Sequence, residues 1–445
     1  MNKYNSFKDS GLEWIGEIPS HWECIRLGML GDFSSSGIDK KSKEEEHPVR
    51  MVNFTDLIQS RKYFPVQTGD KEYMKVTTPY SKFVEHKLNR GDMVFIPSSE
   101  TYEDLGYSSL IDFDEEDIVY SYHILRYRTN REIYHYFKKY FINHHSVLNQ
   151  FSSEGKGTTR QIIGRNVFNN VRVVLPPILE QQQIVSFLDD KTQKIDSLIQ
   201  QKEKKIELLK EKRTSLINHV VTKGLDSNVE MKDSGVEWIG EIPKIWSVSK
   251  IVFISKKVTD GSHHSPETQD SGKLYVTVSN VSKSNDIDFD SCSKISEESF
   301  SELERNGCRP KKGDVLITKD GTIGRGLVVG EFNEYVILSS IGLIRFSKKI
   351  NPDYGLYYLL SGLNIDQMYS HVRGSGITRL TINLIKNLLF VIPTLSEQQQ
   401  IVEYLDNQTE EIDTLIQLEQ KKIDTLKEYR QSLITEVVTG KIKVV

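Results

Sequence analysis

The chain has 445 residues, 37% hydrophobic and 27% charged, with 12 Pro, 28 Gly and a formal net charge of −4. That length suits two to four domains with cores of ordinary size, and the low Gly and Pro content excludes collagen-like and low-complexity classes. The near-neutral balance excludes a strongly basic coat, so nucleic-acid contact would need local cations or partner subunits. No apolar run reaches eighteen residues, which predicts no membrane span, and the polar residues 1–8 lack the apolar core of a secretory signal. Cys24, Cys292 and Cys308 are odd in number and unpaired in spacing, which fits a reducing cytoplasm better than a disulfide scaffold or a zinc site.

The first ordered block, Asp9-Ser-Gly-Leu-Glu-Trp14-Ile-Gly-Glu-Ile-Pro19, returns in the second half as Asp233-Ser-Gly-Val-Glu-Trp238-Ile-Gly-Glu-Ile-Pro243. Glu180-Gln-Gln-Gln-Ile-Val185 returns as Glu397-Gln-Gln-Gln-Ile-Val402, at a slightly shorter displacement. Ser215-Leu-Ile-Asn-His-Val-Val-Thr222 returns as Ser432-Leu-Ile-Thr-Glu-Val-Val-Thr439, by the same shift that carries Glu180 onto Glu397. Such a long period marks duplication of a whole domain with its appendage, not a solenoid. In between, Gly91-Asp-Met-Val94 pairs loosely with Gly313-Asp-Val-Leu316 and Thr159-Arg160 with Thr378-Arg379, while residues 38–80 and 262–300 look unrelated. Like ends with unlike middles point to one scaffold carrying two different recognition surfaces. The expected organisation is a globular domain over 1–176, a helix over 177–224, a second domain over 225–392 and a second helix over 393–445.

In the globular parts, residues 75–78, 92–96 and 171–175 read as strands, as do 314–318, 326–330, 336–338 and 388–392; 134–141 and 354–360 read as helical. No βαβ alternation with a Gly-rich first turn is present, so the expected class is α+β with mostly antiparallel, bent sheets.

From Glu180 the chain runs over forty residues without Gly or Pro. Val185, Thr192, Ile199, Ile206, Arg213 and Val220 recur every seven positions, as do Leu188, Ile195, Lys202, Leu209 and Leu216 three residues on. These are the a and d positions of a coiled-coil seam. Val402, Thr409, Ile416, Ile423, Arg430 and Val437, with Leu405, Ile412, Glu419, Leu426 and Leu433, repeat it in the second copy. Pro176-Pro177 and Pro393 bar an earlier start, Ser396 and Gln399 have capping-box spacing, and Gly224 and Gly440 stand where C-terminal caps belong. Each helix would be roughly 65 Å long. The economical partner for either stripe is the other copy, and the only charged d residues, Lys202 and Glu419, favour that hetero-pairing. These residues alone leave parallel and antiparallel pairing open.

Signatures of catalysis are missing. Gly155-Lys-Gly-Thr-Thr159 only imitates the tail of a phosphate-binding loop, and no G-x-G-x-x-G follows a strand. Asn351-Pro352-Asp353-Tyr354 resembles the Asn-Pro-Pro-Tyr sequence of adenine methyltransferases, but Asp353 replaces a proline, and a helix cap is the better reading. The adjacent pairs His144-His145 and His263-His264 have no metal-ligand spacing. No cofactor or metal is expected in this chain. What remains are basic, Gly- and Thr-rich loops at matching positions: Lys156, Thr158, Thr159, Arg160 and Arg165 in the first half, and Arg373, Thr378 and Arg379 in the second. Lys319 with Arg325 forms a similar candidate. Glycine lets the backbone approach, while hydroxyls, amides and cations suit phosphate oxygens.

Together, Trp14-Ile-Gly-Glu-Ile-Pro19 with Trp22, its echo at 238–243 with Trp246, and Pro-x₃-Glu-Gln-Gln-x-Ile before each helix resemble the specificity subunit of type I restriction–modification systems. Ser98-Ser-Glu-Thr101 and Asp260-Gly-Ser-His263-His264 resemble segments of that family's target recognition domains. The resemblance implies two target recognition domains that each read part of a split double-stranded DNA site, and an antiparallel helix pair that spaces them. It also implies two modification subunits carrying S-adenosylmethionine and adenine-N6 chemistry, and restriction subunits using ATP and Mg. The alternative is a coiled-coil scaffold or adaptor whose globular ends bind proteins, which predicts no DNA retention at low salt.

Overall fold

The computed structural model describes residues 3–444 except 62–64, 283–284, 322, 333 and 371–378. The chain divides into two compact units, one of residues 1–203 with 420–445 and one of residues 204–419. The division cuts through both long helices, so each unit holds one globular domain and a half of each helix.

In the first unit, Phe7–Asp9 pairs antiparallel with Glu17–Pro19, and Glu23–Arg26 with Arg172–Leu175. Between them lies a five-stranded sheet in the order Gly31–Ser34, Leu125–Thr129, Met93–Phe95, Ser108–Ile111, Val66–Gln67. A three-stranded sheet follows the order Ile118–Tyr120, His47–Val52, Met74–Thr78. The second unit repeats the frame: Met231–Asp233 with Glu241–Pro243, Ser247–Lys250 with Leu389–Ile392, and a four-stranded sheet in the order Ser255–Asp260, Ile341–Phe346, Val315–Thr318, Gly326–Val328. Its three-stranded sheet, Ser293–Ile295, Lys273–Val276, Tyr335–Ile337, has one antiparallel and one parallel pairing, as the first unit's does. The sheets are thus mostly antiparallel, as expected, and this shared topology survives where the two sequences look unrelated.

The loosely matching Gly-Asp pairs have a physical reason. Gly91 and Gly313 adopt left-handed backbone, with φ of 91° and 81°. Each turns the chain into a buried aspartate that takes an arginine from a neighbouring strand: Asp92 with Arg128 and Asp314 with Arg345, each at 2.7 Å. The same carboxylates accept the Asn89 and Lys311 backbone N–H groups at 2.8 and 2.7 Å, closing the turn.

The long helices span Ile178–Lys223 and Leu395–Val438. Their seams are buried as the heptads require: Leu188, Ile195, Leu405, Ile412 and Leu433 are buried, while Lys202, Leu209, Leu216 and Leu426 are half-buried. In the first unit the beginning of the first helix meets the end of the second, through Asp196 and Arg430 at 2.9 Å. In the second unit the end of the first helix meets the beginning of the second, through Arg213 and Asp413 at 3.0 Å. The shift that carries Glu180 onto Glu397 also carries Asp196 onto Asp413 and Arg213 onto Arg430, so either ion pair generates the other with the helices exchanged. The pairing is therefore antiparallel. Glu419, 2% exposed on the seam, ion-pairs with Lys205 at 3.0 Å.

A capping box does open the second helix, but two residues earlier than expected. Thr394 Oγ1 accepts the Glu397 N–H at 3.3 Å, and Glu397 Oε2 accepts the Thr394 N–H at 2.9 Å. The first helix has Pro177 at that position, without an N–H to donate, so the carboxylate of Glu180 is directed elsewhere. It accepts from Trp22 Nε1 at 3.0 Å and Tyr4 at 2.8 Å, and His21 Nε2 lies at 2.6 Å. Trp246 Nε1 donates to Glu397 Oε1 at 2.9 Å in the same way. Each indole also packs on the glycine that ends the other helix, Gly440 against Trp22 and Gly224 against Trp246, both at positive φ. One tryptophan per unit thus pins the start of one helix to the end of the other.

Burial works to raise the Glu180 carboxyl, but the bonds from His21, Tyr4 and Trp22 outweigh it and hold the group below its ordinary 4.5. A depressed carboxylate stabilises the fold above the unfolded value and loses that contribution as pH falls through the folded one. Glu180→Gln should therefore lower stability by about 1–2 kcal/mol at pH 7. The difference in melting temperature from wild type should close as pH drops below about 4.5; a gap unchanged down to pH 3 would contradict this lock.

Candidate nucleic-acid interface

In the first unit, Ser98–Ser99 pairs antiparallel with Gln161–Ile162. The second strand returns from a tight loop, because the Lys156 and Ile162 backbones bond to each other at 2.9 and 3.2 Å. Gly157 makes that loop possible: at φ 140°, a Cβ there would lie 2.0 Å from the Arg160 carbonyl oxygen. Lys156, Thr158, Thr159 and Arg160 are exposed along it.

Arg160 Nε donates to Ser98 Oγ at 3.2 Å, and its guanidinium sits 5.9 Å over the Phe54 ring. Thr101 Oγ1 and Ser99 Oγ both donate to Asp104 Oδ2, at 2.6 and 2.9 Å, which fixes the stretch between them. Phe54, Ser99, Thr101, Asp104 and Arg160 line an open cleft of about 400 Å³ together with Lys40, Thr55, Ile58, Glu100 and His123. Burial, reinforced by Arg160 and Lys40, keeps the His123 imidazole below its ordinary pKa and so uncharged at neutral pH. The structure thus gathers Ser98, Thr101 and Arg160, which lie far apart in sequence. It adds Lys40, Phe54, Glu100 and His123, whose membership only the strand pairing and chain path reveal. Arg165 instead begins the helix Arg165–Asn170 and donates to the Phe33 carbonyl.

In the second unit, Asp260 bridges two of the expected residues, taking Lys319 Nζ and His263 Nε2 at 3.2 Å each. Lys319 was expected on a phosphate-facing loop, but it is 2% exposed: its backbone N–H and C=O tie it to Ser340 and Leu380, and its ammonium is turned inward. His263 and His264 remain exposed, the latter closing a turn with Ser262. Arg325 donates to the Val281 carbonyl at 2.9 Å. Arg379 is exposed and meets Asp320 at 3.2 Å. Arg373 and Thr378 lie outside the described residues.

Asn351 is a helix cap, as the sequence suggests: its Oδ1 accepts the Asp353 and Tyr354 N–H groups, and Pro352 opens the helix. Among the described residues no cluster of His, Cys, Asp and Glu could hold a metal, and no helix is long and apolar enough to cross a membrane.

Two frames of one topology, each with exposed polar loops and a half of each long helix, invite comparison with known proteins. Residues 19–208 and 244–428 match the type I restriction modification DNA specificity domain. The chain belongs to that family. Among relatives, it is 26% identical to the type I restriction enzyme MjaVIII specificity subunit of Methanocaldococcus jannaschii, over 66% of this chain and 67% of that one. It is 22% identical to the EcoBI specificity subunit of Escherichia coli, over 69% and 66%. A chain solved in a study of complex assembly and conformational transition of the type I R-M system shares the fold, with a TM-score of 0.68 at 15% identity, covering 96% of this chain and 99% of that one. The matched segments include both helix starts, and so both Trp–Glu contacts.

The placements separate two kinds of cation. Lys319→Met removes one partner of a buried pair and should cost about 3 kcal/mol of stability. Arg160→Ala, at an exposed position, should leave the thermal melt nearly unchanged. Differential scanning calorimetry of both variants checks this; equal melts would contradict the inward placement of Lys319.

Proposed function

We propose that this chain is the DNA-reading subunit of a type I restriction–modification complex, in which each globular half reads one part of an asymmetric, bipartite duplex site. The paired helices would set the distance between the parts and dock two modification subunits, with restriction subunits completing the assembly. In this reading the chain performs no bond chemistry. S-adenosylmethionine would be held by the modification subunits, and ATP and Mg by the restriction subunits, in the cytoplasm.

The observation that carries this reading is the contrast within the duplication. The Trp–Glu contacts, the Gly-Asp turns and the Asp–Arg helix pairs recur in both copies. The intervening segments do not: residues 54–61 form a helix in the first unit, where the second has a short 3₁₀ turn at 278–280. A retained frame with divergent loops is what two different half-sites require, because base edges are read by loop side chains while the frame fixes position. The net charge of −4 fits a reader that relies on partners for phosphate neutralisation, so binding by the chain alone should be weak and less salt-dependent than binding by the complex.

Exchanging residues 1–175 for another such domain, and mapping N6-methyladenine in cells that also express the methyltransferase subunits, tests the proposal. One half of the methylated motif should change and the other persist. If both halves change, modular reading is wrong; if no DNA is retained at low salt and no motif depends on the chain, the scaffold alternative takes its place.

A further inference from the structure

The pairing of Ser99 with Gln161 and Ser98 with Ile162 brings Glu100 and Arg160, the residues just beyond it on the two strands, to the same end of the ribbon. Cross-strand neighbours of opposite charge ordinarily pair. Here both side chains are exposed, and Arg160 turns to Ser98 and Phe54 instead. Among the described residues Glu100 has no hydrogen-bond or ion-pair partner, although it lines the same cleft. Its neighbours Ser99 and Thr101 are both tied to Asp104, so the backbone beneath Glu100 is fixed by bonds that do not involve its carboxylate.

A solvated carboxylate beside Lys40 and Arg160 hinders a phosphate backbone, so its presence in a DNA-facing cleft argues for contact with a base. The major groove admits a two-stranded ribbon and offers amino donors only on cytosine N4 and adenine N6. Adenine sets the N7 acceptor beside its amino group, which an acceptor-only carboxylate cannot satisfy; cytosine does not. The guanine of the same pair presents the O6 and N7 acceptors that arginine fits best. Building on the DNA-reading role proposed above, we propose that Glu100 and Arg160 read a single C·G base pair in the first half-site, Glu100 accepting from cytosine N4 and Arg160 donating to guanine O6 and N7. Ser98 and the Phe54 ring hold the guanidinium in place, and Asp104 holds the loop.

The experiment maps N6-methyladenine motifs made by the full chain with its methyltransferase subunits, for wild type, Glu100→Gln, Arg160→Lys and Arg160→Ala. Both positions are exposed, and a thermal melt of each complex confirms folding; the near-isosteric Glu100→Gln keeps the test decisive if Arg160→Ala does not assemble. The expected wild-type motif has an invariant C·G pair in the half-site set by residues 1–175. Each variant should lower methylation of C·G sites there by about tenfold or more relative to other pairs, and Glu100→Gln should shift preference toward A·T, because glutamine suits adenine. The second half-site should not change. An unaltered motif in all variants, or a change confined to the second half-site, overturns the assignment. A wild-type chain that directs no split motif would instead overturn the DNA-reading role itself.

Discussion

A tryptophan indole clamped between two helix ends organises each half of this molecule. Trp22 and Trp246 are buried, donate to the glutamate at the start of one long helix, and pack on the glycine that ends the other. An isolated helix of such length with an apolar stripe cannot remain solvated on that face. The clamp settles what covers the stripe, because it brings the beginning of one helix and the end of the other to the same domain. Antiparallel pairing then follows, and so does the exchange that lets Asp196–Arg430 and Arg213–Asp413 be one contact made twice.

That exchange explains which parts of the duplicated sequence tolerate change. Residues that touch the clamp or the seam are constrained by both copies at once, since each domain rests on helix segments from both. Residues on the distal loops face no such demand. The segment 54–61 and its counterpart could therefore diverge while the surrounding sheets kept their pairings. Specificity can drift at the loops without loss of the frame, which is the property a recognition subunit needs.

The frame was legible in the sequence because its constraints are periodic or local. Heptads marked both seams and Gly224 and Gly440 marked both helix ends, but the seam residues fit parallel and antiparallel pairing alike, so the exchange of partners was not legible. Less was legible where the constraint is tertiary. Ser396 and Gln399 have the same spacing as Thr394 and Glu397, and only backbone geometry separates them. Lys319 looks like any loop lysine until the chain path turns it toward Asp260. Glu100 stands inside the Ser98–Thr101 segment, but only the strand pairing brings it to the same end of a ribbon as Arg160.

Each domain is braced by the start of one helix and the end of the other. Short-span bismaleimide cross-linking measures it directly, in a chain whose Cys24, Cys292 and Cys308 are replaced by serine. Asp196→Cys with Arg430→Cys should link within a single chain at dilute concentration, as should Arg213→Cys with Asp413→Cys. Linkage of Asp196→Cys to Asp413→Cys, with none of Asp196→Cys to Arg430→Cys, would mean the helices run parallel, and the account would be wrong.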